Sequence, residues 1–199
     1  MKEILPGIWH WTAVHDRIKL EVSSYYVADD PVTLLDPMLP EEGIDWFRDR
    51  EAPGQILLTN RHHYRHSDRF VEAFGCPVRC ERSGLHEFEG GPDVEGFQFG
   101  DELAANITAL EVDAICSEDT AMHIRLGDGV IAFADGLINY GSVGVVPDNF
   151  MDDPEKTKAG IRQAVDRLLE LDFDSLLFAH GDPIVGGGKQ ALREFLERG

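Results

Sequence analysis

Gln55-Ile56-Leu57-Leu58-Thr59-Asn60-Arg61-His62-His63-Tyr64-Arg65-His66 is the stretch on which the reading of this chain turns. Its first half is a continuous apolar run entered through Pro53-Gly54, the pattern of a strand buried on both faces. Its second half crowds histidines and arginines into one loop. A short helix is expected next, through Phe70, Val71 and Phe74. Gly75 punctuates it, and Pro77-Val78-Arg79-Cys80 reads as extended again. Strand ends and their loops are where ligand sites tend to form, and histidine is an ordinary ligand of zinc and non-haem iron.

Working outward, the N-terminal third is strand-rich. Ile8-Trp9-His10-Trp11, Glu21 to Val27 and Val32-Thr33-Leu34-Leu35 carry β-branched and aromatic residues between turn signals. Pro40-Glu41-Glu42 then predicts a helix start, with Ile44 and Phe47 on one face. Towards the C-terminus, Phe97-Gln98-Phe99, Asn106 to Leu110, Thr120 to Ile124 and Val130 to Phe133 read as strands, with Gly127-Asp128-Gly129 as a hairpin turn. Asp153-Pro154 opens the clearest helix, where Ile161, Ala164, Val165, Leu168 and Leu169 recur at helical spacing. Ser175 to Ala179 is a strand leading to His180-Gly181. A glycine-rich turn, Gly186 to Gly188, introduces a last helix with Leu192, Phe195 and Leu196 inward. The chain thus divides into two β-rich halves, each ending in helices. Two sheets packed face to face with helices outside is a natural way to cover such strands, and 199 residues suit one domain over 1–199.

Composition narrows the function. A net charge of −19 argues against nucleic acid, whose binding needs Lys and Arg to neutralise phosphates. Acidity on this scale serves solubility, or adaptation to salt. No stretch approaches the roughly 18 apolar residues of a membrane span. Three cysteines without a Cys-x-x-Cys pair suit reduced thiols, and the start has no apolar run, so residence in the cytoplasm is expected. His10, His15, His86 and His123 are read as structural, His123 on a sheet surface. Trp9, Trp11 and Trp46 are read as core or rim.

The order of elements resembles the metallo-β-lactamase superfamily over nearly the whole chain. Leu34-Leu35-Asp36-Pro37 resembles that family's early strand ending in aspartate. Phe133-Ala134-Asp135 resembles the segment whose carboxylate bridges two metals. Leu177-Phe178-Ala179-His180-Gly181 resembles the segment supplying its last histidine. The resemblance implies an α+β, four-layer αββα sandwich. The family's signature, His-x-His-x-Asp-His, is degenerate in this chain. Without a gap, Asn60, His62, Tyr64 and Arg65 fall on its four positions. With one inserted residue, Arg61, His63, Arg65 and His66 fall there, an alignment that keeps the following helix in place. Either way the motif aspartate is gone. A further family histidine would fall near Ile115 or Cys116, where none stands; Cys116, Glu118 and Asp119 are the neighbouring substitutes.

The surviving metal-ligand set is therefore His63, His66, Asp135 and His180, with His62 as alternate. It suits one zinc, iron or manganese ion if any. A second divalent ion about 4 Å from an inward Arg65 would be opposed by about 8 kcal/mol at an effective dielectric near 20, a large share of the ~10–16 kcal/mol of a tight zinc site. An Arg65–Asp135 ion pair replacing a metal is the alternative. Three functional readings follow. The first is a degenerate-site protein that binds or acts on a small molecule. The second is a mononuclear metal-dependent hydrolase using the four residues above. The third is a non-catalytic structural or interaction module. A conventional dinuclear hydrolase is not expected.

Overall fold

A computed structural model describes residues 1–198. Seven strands form the first sheet in chain order: β1 (Lys2–Leu5), β2 (Ile8–Val14), β3 (Glu21–Val27), β4 (Thr33–Leu35), β5 (Gln55–Leu57), β6 (Val78–Glu81) and β7 (Glu95–Phe97). The pairs up to β3–β4 are antiparallel, and those from β4–β5 onward are parallel. The change falls where helical crossovers begin, since parallel neighbours cannot be joined by a tight hairpin. Those crossovers carry the short helix α1 (Asp45–Arg48) and α2 (Ser67–Phe74).

The second sheet holds β8 (Glu102–Ala104), β9 (Ile107–Glu111), β10 (Thr120–Ile124), β11 (Val130–Phe133) and, after a small ribbon of β12 (Ile138–Asn139) and β13 (Val143–Gly144), the last strand β14 (Ser175–Phe178). Its order is β14-β11-β10-β9-β8, with β11 and β14 parallel. Helix α3 (Pro154–Leu168) connects the ribbon to β14, and α4 (Gly188–Glu197) closes the described chain. Asp153 caps α3 as expected, its carboxylate accepting from the Lys156 amide at 3.1 Å, with Pro154 in the first turn.

Strand alternation sorts the side chains into three apolar layers. Leu35, Leu57, Ala132 and Leu177 meet between the sheets, together with Ile8, Tyr25, Val27, Ile107, Met122 and Ile124. Their sequence neighbours Leu34, Ile56 and Leu58 face the other way, onto Phe47 of α1 and Phe70 of α2. Ile131, Phe133, Leu176 and Phe178 face α3 and α4 through Ile161, Val165, Leu168, Leu192 and Phe195. Each strand buried on both faces explains a continuous apolar run in the sequence. The result is the expected four-layer αββα sandwich. Among the described residues no helix is long and apolar enough to cross a membrane.

Three expectations are corrected. The helix predicted from Pro40 begins only at Asp45, because Gly43 takes φ +74° and the Pro40 carbonyl closes a turn onto its amide. Ile44 and Phe47 still pack in one cluster. The strand predicted over 97–99 ends at Phe97, and the Gln98 amide is instead capped by the Asp101 carboxylate at 2.9 Å. His123 is buried rather than on an open sheet surface, its Nε2 3.0 Å from the Asp172 carbonyl.

Candidate metal centre

The histidine-rich loop does not continue as a strand. Asn60 sits extended and caps a 3-10 turn, Arg61–Tyr64, its side-chain oxygen accepting from the His62 amide at 2.9 Å. A turn of three residues per cycle splays successive side chains widely apart. His62 consequently faces outward, 3.9 Å from Glu87, while His63 is driven inward and is only 4% exposed. Arg65 then takes φ +48°, an uncommon conformation for a residue with a Cβ, and redirects the chain so that the His66 amide reaches the Pro37 carbonyl and α2 begins.

On the second sheet the geometry comes from register. Phe133 of β11 lies opposite Phe178 of the parallel β14, so the residues two further along, Asp135 and His180, leave the sheet side by side. His180 Nε2 lies 3.1 Å from Asp135 Oδ1, and His63 Nε2 lies 3.3 Å from the same oxygen. The ligand atoms of His63, Asp135 and His180 all fall within 4.8 Å of one another. Both sheets thus contribute to one cluster at their strand ends. Asp135 Oδ1 is nevertheless without a hydrogen bond, because neither ring N–H is aimed at it closely enough. Two nitrogens and an oxygen thus lie close enough together to share one ion.

A second layer holds His63 in place. Its Nδ1 is 3.0 Å from Asp36 Oδ2, and the Thr59 hydroxyl bridges the two at 3.1 Å from the ring. Asp36 also accepts from the Thr59 amide at 2.8 Å. Burial alone would lower the pKa of His63, but the carboxylates of Asp135 and Asp36 outweigh it and raise it to about 9. Burial likewise works against ionisation of Asp135, yet the His63 and His180 rings hold its carboxyl well below the usual range. Asp119, wholly buried before β10, goes the opposite way. Burial first and the Asp135 charge second push its pKa up to about 8.

Of the residues singled out in the sequence, the structure brings together His63, Asp135 and His180 and leaves His66 outside. Both nitrogens of His66 are engaged elsewhere. Its Nδ1 accepts from the Leu39 amide at 3.0 Å, and its Nε2 lies 3.0 Å from Asp16. Nor does Arg65 form the ion pair expected with Asp135. Its guanidinium donates to three backbone carbonyls, Ser23 (2.6 Å), Asp36 (2.8 Å) and Ala179 (3.5 Å). Buried carbonyls from both sheets compete for it successfully. Arg61 turns to the buried Glu118 instead. Two residues escaped assignment to the site, Asp36 and Thr59. The signal was present, since Leu34-Leu35-Asp36 and Leu57-Leu58-Thr59 are both apolar strands ending in a polar residue.

Gly181 sets the direction of His180. It takes φ +95°, and a Cβ placed there would lie 1.9 Å from the Asn139 carbonyl oxygen. Gly181→Ala should therefore cost about 2 kcal/mol or more in urea unfolding, from backbone strain plus the clash. An unchanged midpoint would show that the β12 ribbon yields freely.

No protein-family model matches the sequence, and no curated protein matches it either. Solved structures do. A metallo-beta-lactamase family protein from Thermus thermophilus superposes with TM-score 0.71 at 17% identity, over 98% of this chain and 80% of that one. TTHA1623, solved in a di-iron-bound form, gives TM-score 0.69 at 23% identity over 91% of this chain and 96% of its own. DIM-1 metallo-beta-lactamase gives 0.76 at 11% identity, over 99% and 96%. The architecture of the present chain is the metallo-β-lactamase fold.

Proposed function

We propose that this protein is a divergent, mononuclear metal-dependent hydrolase, in which His63, Asp135 and His180 hold one divalent ion. The observation that carries the reading is the orphaned Asp135 Oδ1, buried between two imidazole nitrogens that approach it without hydrogen-bonding to it. Buried polar atoms are ordinarily satisfied, and a cation shared by the three ligands would satisfy this one. Two imidazoles and a carboxylate fit zinc, iron or manganese.

When bound, such an ion supplies a Lewis acid for a substrate oxygen and lowers the pKa of an attacking water. The chain's own residues do the rest. His63 Nδ1–H donates a hydrogen bond to Asp36, which leaves the Nε2 lone pair facing the cluster. Thr59 keeps Asp36 in that role through its amide. His180 and Asp135, with side chains 15% and 23% exposed, form the open side where a small substrate enters. Arg65 ties strand ends of both sheets together and so sets the spacing between His63 and the Asp135–His180 pair. Its charge also opposes a second ion nearby. The non-catalytic reading drew on an Arg65–Asp135 pair, and without that pair Asp135 remains available to a ligand.

Elemental analysis of protein purified without chelators tests the proposal. The expected result is close to one equivalent of zinc, iron or manganese, falling below about a tenth of an equivalent in His180→Ala, since three-ligand sites rarely survive loss of one ligand. Wild-type protein that remains metal-free after incubation with each ion would refute it.

A further inference from the structure

Asp119 has a backbone held on every side. Its carbonyl accepts from the Val112 and Asp113 amides at 3.1 and 3.3 Å, and its amide donates to Cys116 at 3.1 Å. The next amide, Thr120, reaches the Thr59 carbonyl at 3.0 Å, which ties this segment to the strand end that presents His63. The side chain is treated quite differently. It is 0% exposed, and neither carboxylate oxygen has a hydrogen-bond partner. It also lies against the turn that carries Asp135, for a Cβ on Gly136 would come within 2.8 Å of Asp119 Oδ2. An ionisable group buried without a partner is costly, and an apolar residue of similar size would fold better there.

We propose that Asp119 is the fourth protein ligand of the ion held by His63, Asp135 and His180, completing a sphere of two imidazoles and two carboxylates. The inference rests on the reading of this cluster as a metal centre. Asp119 falls outside the set of ligand atoms that lie within 4.8 Å of one another, but its Oδ2 packs against the Asp135–Gly136 turn, so a side-chain rotation is what brings it to an ion held there. Charge supports the assignment. With Asp119 Oδ2 against that turn, one divalent ion held between the carboxylates of Asp119 and Asp135 would neutralise both. In this chain an oxygen donor thus takes a coordination position near the segment 115–119, which lacks any histidine.

Cobalt(II) titration of the metal-free full-length protein tests this, because its visible d–d bands report the number and type of donors. Wild type should take up one equivalent. Asp119→Asn should bind at least about 100-fold more weakly, beyond the upper end of what disturbing an outer-shell partner does, and with altered bands. In the absence of metal Asp119→Leu, which also removes the donor, should melt at a higher temperature than wild type, since the orphaned carboxyl is gone. A merely structural Asp119 gives the opposite pair, a lower melting temperature with unchanged cobalt affinity, and overturns the proposal. Asp119→His supplies a donor again and should recover affinity with a shifted band, which keeps the test open if the asparagine variant does not fold. Equal cobalt affinity in wild type and folded Asp119→Asn removes Asp119 from the sphere while leaving the metal centre standing. No cobalt uptake by wild type removes both.

Discussion

Arg65→Met loses about 3–5 kcal/mol of unfolding free energy in urea, the range expected when one member of a buried charged cluster is deleted. Arg65 donates to three carbonyls at the joint between the sheets, those of Ser23 and Asp36 on one sheet and Ala179 on the other. Methionine fills much of the volume but removes these donors, leaving the Asp36 carbonyl only the Ser24 hydroxyl and the Ala179 carbonyl only the Ser23 amide, and takes a neighbouring positive charge from Asp36 and Asp135. Arg65→Lys should recover only part of the loss, because one ammonium cannot spread its donors across both sheets as a planar guanidinium does. The left-handed backbone at Arg65 is retained in both variants, so the comparison isolates the side chain. A loss below about 1 kcal/mol, the scale of an exposed ion pair, would mean that water replaces the guanidinium without difficulty.

Metal-free protein is most stable below about pH 6 and weakens by about 3 kcal/mol between pH 6.5 and pH 8, each of two groups approaching a slope of about 1.4 kcal/mol per pH unit. The first is His63. Its pKa is raised to about 9 in the fold, so its contribution is fully present below 6.5 and is lost as pH rises through 9. The second is Asp119, whose carboxyl keeps its proton to about pH 8 while the unfolded chain gives it up near 3.8. Through that window the folded state binds more protons, and raising the pH favours unfolding. Below 6.5 the slope from Asp119 is offset by His10, whose burial lowers its pKa to about 4, so the folded state resists its protonation. Urea midpoints measured from pH 5 to 8.5 in the presence of chelator check this. With saturating divalent metal the trend should reverse, because ligands must shed their protons to bind. A flat chelated profile would show that His63 and Asp119 titrate in the fold as they do in the open chain.

Much of the architecture was legible in the chain itself. Leu34-Leu35, Ile56-Leu57-Leu58, Ile131-Ala132-Phe133 and Leu176-Leu177-Phe178 are uninterrupted apolar runs, and only strands covered on both faces need them. A sandwich of two sheets between helices followed from that. Short elements were less legible. Lys2–Leu5 and Glu102–Ala104 are edge strands whose pairing is decided by neighbours rather than by their own composition.

Local order also determined where chemistry stands, because a polar residue ending a buried strand has to emerge at the sheet's rim. Asp36, Thr59, Asp135 and His180 all do so. The sequence could not say which histidine of the 61–66 loop points inward. That choice falls to a 3-10 turn capped by Asn60 and to the left-handed Arg65, which together turn His63 towards the second sheet and His66 towards Asp16. Nor could it reveal that Arg65 would prefer three carbonyls to the Asp135 carboxylate, or that Asp119 would be buried unpartnered. Those outcomes depend on groups brought together from distant parts of the chain, and the strength of a charge interaction is set by distance and surrounding dielectric, quantities that exist only once both sheets have packed.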